Sequence, residues 1–304
     1  MSSWDTSNAN DMSGMFSGST SLTNLDLSGF DTSSVIIMNG MFHWTPSLTN
    51  LDLTGFDTSS VIDMSHMFSS ASSLTNLDVS DWDVSNVNSM NSMFNNASSL
   101  TNLDVSDWDV SNVNSMNSML WGTLALHQIS LGKNFNPLID IPILGNTPNL
   151  GTPPNNAEFA GRWRNVGVGT IDNPQGDYYF AGGFQLMRNF NGAIHADTWV
   201  WEPHMYTISY TQVGDLPATH SVDDVTTNEL PWIANANVAT PQSLNTTETA
   251  HGGVAGTWSF NGWTHPTIDI SGTTFVMPAE NVVFEGSWTF TSNTCNKWSK
   301  QPTT

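Results

Sequence analysis

Four aspartates recur at one position of a repeated motif. The segment SLTNLD begins at residues 21, 47, 73 and 99, so its aspartates follow one another every 26 residues. These residues are Asp26, Asp52, Asp78 and Asp104. Carboxylates stacked in a row offer oxygen ligands to a cation such as Ca²⁺, or hydrogen-bond acceptors to a larger ligand. The motif therefore raises the question of a binding surface.

Threonine and asparagine accompany these aspartates. If Leu25 and Leu27 point into a core, the alternation of a strand turns Asn24 and Asp26 outward, and the threonine column is also predicted to face outward. The candidate ligand-binding residues on this face are Thr49, Asn50, Asp52, Thr75, Asn76, Asp78, Thr101, Asn102 and Asp104. We expect no catalytic residue, no dedicated metal site and no cofactor, and calcium is a candidate ion for this face.

A solvated surface is the alternative interpretation of the same face. Residues 1–132 contain 13 Asp but no Glu, Lys or Arg, so no carboxylate there has a local cationic partner. At a separation of about 5 Å, neighbouring carboxylates repel by roughly 0.8 kcal/mol even at the dielectric constant of water. Such charge also keeps a repetitive surface from aggregating edge to edge. The sequence leaves both interpretations open.

The elements that position this face are the repeats themselves. Residues 73–93 recur without change at 99–119. Leucines or similar residues follow the pattern L-x-x-L-x-L, which begins at Leu22 in the first copy and predicts a short strand. Repeats of this length indicate stacked units that bury each other's apolar faces.

The second half of each repeat carries apolar residues at offsets 0, 3, 6 and 7, as in Val35, Met38, Met41 and Phe42. These offsets fall on one face of a helix or 3₁₀ turn. We therefore predict a mixed fold class, in which the N-terminal part is a leucine-rich-repeat solenoid with a short parallel strand and a helical turn in each 26-residue coil. The methionines are predicted to fill its core.

An aromatic residue separates the two halves of each repeat and directly precedes an aspartate. The aromatic residues are Trp4, Phe30, Phe56, Trp82 and Trp108. We expect these rings to point inward, and the aspartate after each to start the turn or cap the helix.

Composition excludes several partners. The chain has 6 Lys and Arg against 27 Asp and Glu, a formal charge of −21, which repels nucleic-acid phosphates and anionic lipid headgroups. No apolar run approaches the roughly 18 residues of a membrane span. We therefore expect neither nucleic-acid binding nor direct membrane insertion. The single cysteine, Cys295, excludes an internal disulfide.

The motifs SLTNLDLSGFDTSSVIIMNGMF and WDVSNVNSMNSMF resemble the BspA-like leucine-rich repeats of Gram-positive surface proteins, over about residues 4–132. The resemblance implies an extracellular protein of the bacterial cell surface. Its repeats would mediate adhesion by contacting a host or bacterial surface protein or glycan. Because neither a secretion leader nor an LPxTG-type sorting signal stands in the chain, we expect a fragment of a longer, cell-wall-anchored adhesin.

The rest of the chain is predicted to contain a connector with a small module over 133–204, a β-rich domain over 205–291, and a tail over 292–304. Within the module, FQLMRNF predicts a short helix and ADTWVWE a strand. YTISYTQV and VVFEGSWTF alternate as half-buried strands do, and GTWSFNGW predicts a strand that ends in a turn at Gly262. This domain resembles the SHIRT-type stalk domains of Gram-positive adhesins.

Motifs for catalysis are missing from the sequence. Arg162 and Arg164 form the one basic cluster, and we expect them to pair with carboxylates or stack on rings. The eight histidines lack metal-ligand spacing, although His204, His220, His251 and His265 could converge. The first hypothesis is therefore an adhesin, and the second is a structural spacer. A glycan-processing enzyme is third, because repeated aspartates share one environment whereas an acid and a base need two.

Overall fold

The computed structural model describes residues 4–136, 148–218 and 232–293. The chain divides into two compact units, Met1–Pro203 and His204–Thr304. Part of the predicted connector, the tail from residue 294, His220 and Cys295 lie outside the described residues. The four-part division of the chain over 1–132, 133–204, 205–291 and 292–304 stays a prediction.

Short parallel strands form in the first half of four repeats, whereas the third repeat has no strand at residues 76–78. Strand β1 (Asn24–Asp26) pairs in parallel with β2 (Asn50–Asp52), and β3 (Asn102–Val105) pairs in parallel with β4 (Gln128–Leu131). In both pairs each residue faces the residue 26 positions later. Their burial alternates: Leu25 and Leu103 are buried whereas the flanking Asn and Asp are exposed, as the strand pattern predicted.

The second half of each repeat is joined to the next by backbone hydrogen bonds. The N–H groups of Met38, Gly40 and Phe42 donate to the carbonyls 25 residues later, at N···O distances of 2.8–3.0 Å. Parallel bridges connect one repeat to the next along the same part of the chain, and they join Asp11, Ile37, Asp63, Ser89 and Ser115 in that order. In this part of each repeat, alternate N–H groups therefore donate hydrogen bonds to the next repeat. The hydrogen bonds within the repeat close only single turns.

The predicted fold class is wrong in one essential respect. No helix lies in residues 4–136; these segments form turns, and no solenoid of strands plus helical turns is present. The cause is a left-handed residue between the two methionines of every repeat, with φ between +53° and +61° at Gly14, Gly40, His66, Ser92 and Ser118. A left-handed residue interrupts α-helical bonding, which frees alternate N–H groups to bond to the next repeat.

The core of the repeats is a set of ladders of identical side chains. Phe16, Phe42, Phe68 and Phe94 stack with centroids 5.4–5.6 Å apart and planes within 6° of parallel. The methionines beside them are buried except for Met15, which is half-buried, so their predicted core role is confirmed. The aromatic column is also buried as predicted, except for Trp4, which is 52% exposed.

The remainder of the first unit continues the sheet of the last repeats. Strand β4 pairs antiparallel with β7 (Asp197–Pro203), which pairs with β5 (Phe159–Asn165), and β5 pairs with β6 (Tyr179–Phe180). The five-stranded order is β3-β4-β7-β5-β6. Helices α1 (Gly183–Asn189) and α2 (Gly192–His195) precede β7. The predicted short helix and strand of this module are confirmed.

The second unit is β-rich. Its strands are β8 (Met205–Tyr206), β9 (Ile208–Val213), β10 (Trp232–Ile233), β11 (Asn237–Ala239), β12 (Ala250–His251), β13 (Val254–Thr264), β14 (Thr274–Val276) and β15 (Val282–Ser292). The largest sheet has the order β12-β13-β15-β9, with β9 parallel to β15. The alternating segments are strands as predicted, but the turn predicted at Gly262 is a bulge within β13, with φ +98°.

The left-handed turn position offers a direct test. The Gly40→Ala substitution should lower the free energy of unfolding by about 1 kcal/mol, because φ of +59° is unfavourable for a residue with a Cβ atom. Chemical denaturation measures the change. Gly29→Ala is the matched control, since Gly29 has no positive φ and open space around its Cβ position. Equal losses in the two variants would contradict the assigned turn conformation.

Candidate functional site

A polar groove of about 890 Å³ runs across the strand face of four repeats. We call it the polar groove. It is lined by Asn24, Leu25, Asp26, Thr49, Asn50, Leu51, Asp52, Asn76, Leu77, Asp78, Val79, Ser80, Asn102 and Asp104. Seven of the nine candidate residues from the sequence therefore lie together, and the remaining two, Thr75 and Thr101, lie outside this lining.

The threonine hydroxyls have a backbone role. Thr49 Oγ1 donates to the carbonyl of Thr23 at 3.0 Å, and Thr101 Oγ1 donates to the carbonyl of Thr75 at 3.1 Å. Each hydroxyl thus bonds to the neighbouring repeat. Two asparagines of the groove also bond to each other, since Asn50 Nδ2 donates to Asn24 Oδ1 at 2.6 Å.

Each aspartate of the groove closes a turn with the residue two positions later. Asp26 Oδ1 accepts from the backbone N–H of Ser28 at 2.9 Å and from its hydroxyl at 2.6 Å. Asp78 accepts the same pair of bonds from Ser80, at 3.2 and 2.7 Å. Asp52 and Asp104 accept the equivalent backbone bond, at 2.9 and 3.0 Å. One oxygen of every groove carboxylate is therefore engaged by its own chain.

These turns keep the groove anionic. The serine hydroxyl, followed by the serine N–H, lowers the pKa of Asp26 and of Asp78 below the ordinary value of an aspartate. Both carboxylates are therefore ionised at neutral pH. Within residues 4–136, 148–218 and 232–293, no three His, Cys, Asp or Glu side chains are grouped so that they could hold a metal ion. Calcium binding by the groove stays a prediction.

A second acidic column is formed by the aspartate that directly follows the aromatic residue of each repeat. Asp31 and Asp57 each accept from the serine two residues later, as the groove aspartates do. Their predicted place at the start of a turn is confirmed, although no helix follows. Thr32 joins the two repeats: its Oγ1 donates to the carbonyl of Asp57 at 3.0 Å and accepts from the N–H of Asp57 at 2.8 Å.

The basic cluster has a structural partner, as expected. Glu202, whose side chain is 8% exposed, accepts from Arg162 Nη2 at 3.0 Å and from Arg164 Nη1 at 2.8 Å. Arg162 also lies 4.7 Å from the ring centroid of Tyr179. Burial alone raises the pKa of Glu202, but the hydrogen bonds and charges of the two arginines bring it below its ordinary value. This cluster holds strands β5 and β7 together.

Sequence analysis missed one pair of histidines. The ring centroids of His43 and His66 lie 6.2 Å apart on the turns of adjacent repeats. Their separation of 23 residues is three short of the 26-residue period, so repeat-by-repeat alignment would have placed them as turn neighbours. By contrast, His204, His251 and His265 pack on different aromatic rings, those of Tyr206, Trp258 and Phe284.

Among known proteins, similarity was found to one family, and it is confined to the repeats. Residues 1–51 and 44–136 match the family described as "Mycoplasma protein of unknown function, DUF285". The matched residues are less than half of the chain, and the family is associated with BspA-like surface proteins. The finer assignments, to BspA-like leucine-rich repeats and to a SHIRT-type domain, stay predictions. No curated protein and no solved structure matches the chain. Among the described residues, no helix is long and apolar enough to cross a membrane.

The aspartate–serine turns predict how stability depends on pH. Asp5, Asp31, Asp57 and Asp83 have pKa values lowered by their serine partners. A lowered folded-state pKa means that the folded chain binds fewer protons than the unfolded chain, so the stabilisation is present above about pH 4 and lost as the pH falls further. We expect the melting temperature to fall between pH 5 and pH 3 in thermal unfolding.

The double variant Ser33→Ala/Ser59→Ala is the control for this pH dependence. It removes the largest cause of the lowered pKa of Asp31 and of Asp57, so its melting temperature should fall less steeply with acid. A melting temperature that rises on acidification would show instead that repulsion between stacked carboxylates outweighs the serine bonds.

Proposed function

We propose that this chain is part of a bacterial cell-surface adhesin, in which the polar groove binds a host or bacterial surface protein or glycan. The observation that supports this most is the groove itself. It presents exposed side chains from four successive repeats. The asparagines occupy one position of the repeat, and the aspartates occupy another.

The chemistry of the groove suits a ligand with many N–H or O–H groups. Carboxylate oxygens only accept hydrogen bonds, whereas asparagine both donates and accepts. Parallel strands lie about 4.8 Å apart, so the same set of groups recurs at that spacing along the repeats. An extended ligand with regularly spaced hydroxyl or amide groups, such as a glycan chain or an extended peptide, would meet the same partners at each step.

An extracellular location is part of this proposal. The match to a family associated with BspA-like surface proteins supports it, over residues 1–136. The second unit, His204–Thr304, would then act as a stalk or spacer domain in the same surface protein.

A structural spacer is the second candidate function. The observation that favours it is the aspartate–serine turn, because every groove aspartate has a role in its own repeat. In that case the charge of the groove would serve solubility, and the binding module would lie elsewhere in a longer protein.

Binding by the full chain separates these two functions. The triple variant Asp52→Asn/Asp78→Asn/Asp104→Asn removes three groove charges and keeps an oxygen that can accept the turn bonds. We expect it to lower the affinity for immobilised mucin, matrix protein or an arrayed glycan by about tenfold or more, with the melting temperature within a few degrees of the unchanged chain.

The matched control is Asp31→Asn/Asp57→Asn/Asp83→Asn. It removes the same number of charges from the second acidic column, outside the groove lining. If both triple variants bind equally well or equally badly, the groove is not the specific binding surface. If the unchanged chain binds none of these ligands saturably, the spacer function is favoured.

A further inference from the structure

Two histidines from neighbouring repeats lie side by side outside the polar groove. The rings of His43 and His66 have centroids 6.2 Å apart and planes inclined at 69°. His66 is exposed and His43 is half-buried. The hydroxyl oxygen of Ser17 lies 3.5 Å from His43 Nδ1. Both side chains are therefore at least partly accessible to solvent.

The separation of the rings is close to that of two imidazoles that share one metal ion. An imidazole nitrogen binds Zn²⁺ at about 2.0–2.1 Å, which places the ion roughly 3.2 Å from the ring centroid. Two rings on one ion then lie at most about 6.4 Å apart, and closer when the nitrogen–metal–nitrogen angle is smaller. At the tetrahedral angle that Zn²⁺ prefers, the same arithmetic gives about 5.2 Å. The observed 6.2 Å corresponds to an angle of roughly 150°, so the exposed His66 ring must approach His43 by about 1 Å for tetrahedral binding.

We propose that His43 and His66 bind a divalent transition-metal ion such as Zn²⁺, Ni²⁺ or Cu²⁺, with water in its remaining coordination positions. Imidazole nitrogen is a preferred ligand of these ions, whereas Ca²⁺ and Mg²⁺ prefer the oxygen ligands that the groove offers. The proposed site therefore differs in its ligand atoms from the oxygen-lined groove.

The electrostatics of the repeats favour a cation at this site. Residues 1–132 carry 13 aspartates and no lysine or arginine, so their field concentrates cations near the surface. In the described part of the chain no third His, Cys, Asp or Glu completes a group with these two. The site is therefore expected to bind more weakly than a closed four-ligand site.

The repeats themselves supply substitutions that preserve the turn. His66→Gly introduces the residue that stands at this left-handed position in the two preceding repeats, as Gly14 and Gly40. His43→Ser introduces the residue that stands at the equivalent position in the adjacent repeats, as Ser17 and Ser69. His127→Gln is the control, because His127 is an exposed histidine of the last repeat that packs near Trp201 instead.

The test is calorimetric titration of the untagged full chain with ZnCl₂, NiCl₂ or CuCl₂. We expect one ion per chain, and a loss of at least tenfold in affinity in His43→Ser and in His66→Gly but not in His127→Gln. Electron paramagnetic resonance of the Cu²⁺ complex should show coupling to nitrogen that is reduced in either variant.

Three results would overturn the proposal. Unchanged affinity in His43→Ser or His66→Gly would exclude a shared site. A loss seen only in Asp52→Asn/Asp78→Asn/Asp104→Asn would assign the ion to the groove carboxylates. No binding at millimolar metal would exclude a site of any useful affinity. All three readouts are independent of whether the groove binds an adhesion ligand.

Discussion

Backbone hydrogen bonding between repeats at a fixed offset is the constraint on which the first unit depends. The parallel strand pairs and parallel bridges of the repeats join residues 26 positions apart, and turn N–H groups such as those of Met38, Gly40 and Phe42 bond to carbonyls 25 positions later. Because the offset is constant, equivalent side chains must stack on one another. The phenylalanine ladder and the buried methionines follow directly from this register, and so does the near-verbatim copying of residues 73–93 at 99–119.

The same register creates the charged surface. Once one strand position carries an outward aspartate, each of the first four repeats adds a carboxylate to the same face. The chain tolerates this because serine or threonine two residues later binds each carboxylate, and the serine bonds lower the pKa values of Asp26 and Asp78. A single residue type therefore stabilises each turn and gives the polar groove its charge. An Asp→Asn substitution separates these two roles, because the amide oxygen can still accept the turn bonds.

The sequence predicted which residues of each repeat are buried or exposed, but it did not predict the backbone conformation of the methionine-containing half. Alternation in N-L-D identified which residues face outward, since a strand has a period of two. Offsets of 0, 3, 6 and 7 also fit a helix, and the competing signal was the glycine at residues 14 and 40, which marks a left-handed turn. In later repeats His66, Ser92 and Ser118 occupy that position, which hid the signal.

Contacts between residues far apart in the chain could not be predicted from local sequence patterns. Glu202 partners Arg162 and Arg164 through the pairing of β5 with β7, which no local pattern encodes. The Thr49 and Thr101 hydroxyls bond to the preceding repeat, a role that alternation alone could not assign. The pairing of His43 with His66 follows from the repeat period, and linear metal-ligand spacing does not reveal it.

Engineered cross-linking tests the register most directly. In a chain carrying Cys295→Ser, Asn24→Cys/Asn50→Cys joins residues that are direct partners in the parallel pair, at a strand spacing of about 4.8 Å that a disulfide can bridge. The displaced pair Asn24→Cys/Asp52→Cys would be about 8 Å apart between Cα atoms, beyond that reach. Rapid oxidation of the first pair and slow oxidation of the second is the predicted result. Equal oxidation of both pairs, or preference for the displaced pair, would contradict the 26-residue register and the groove built on it.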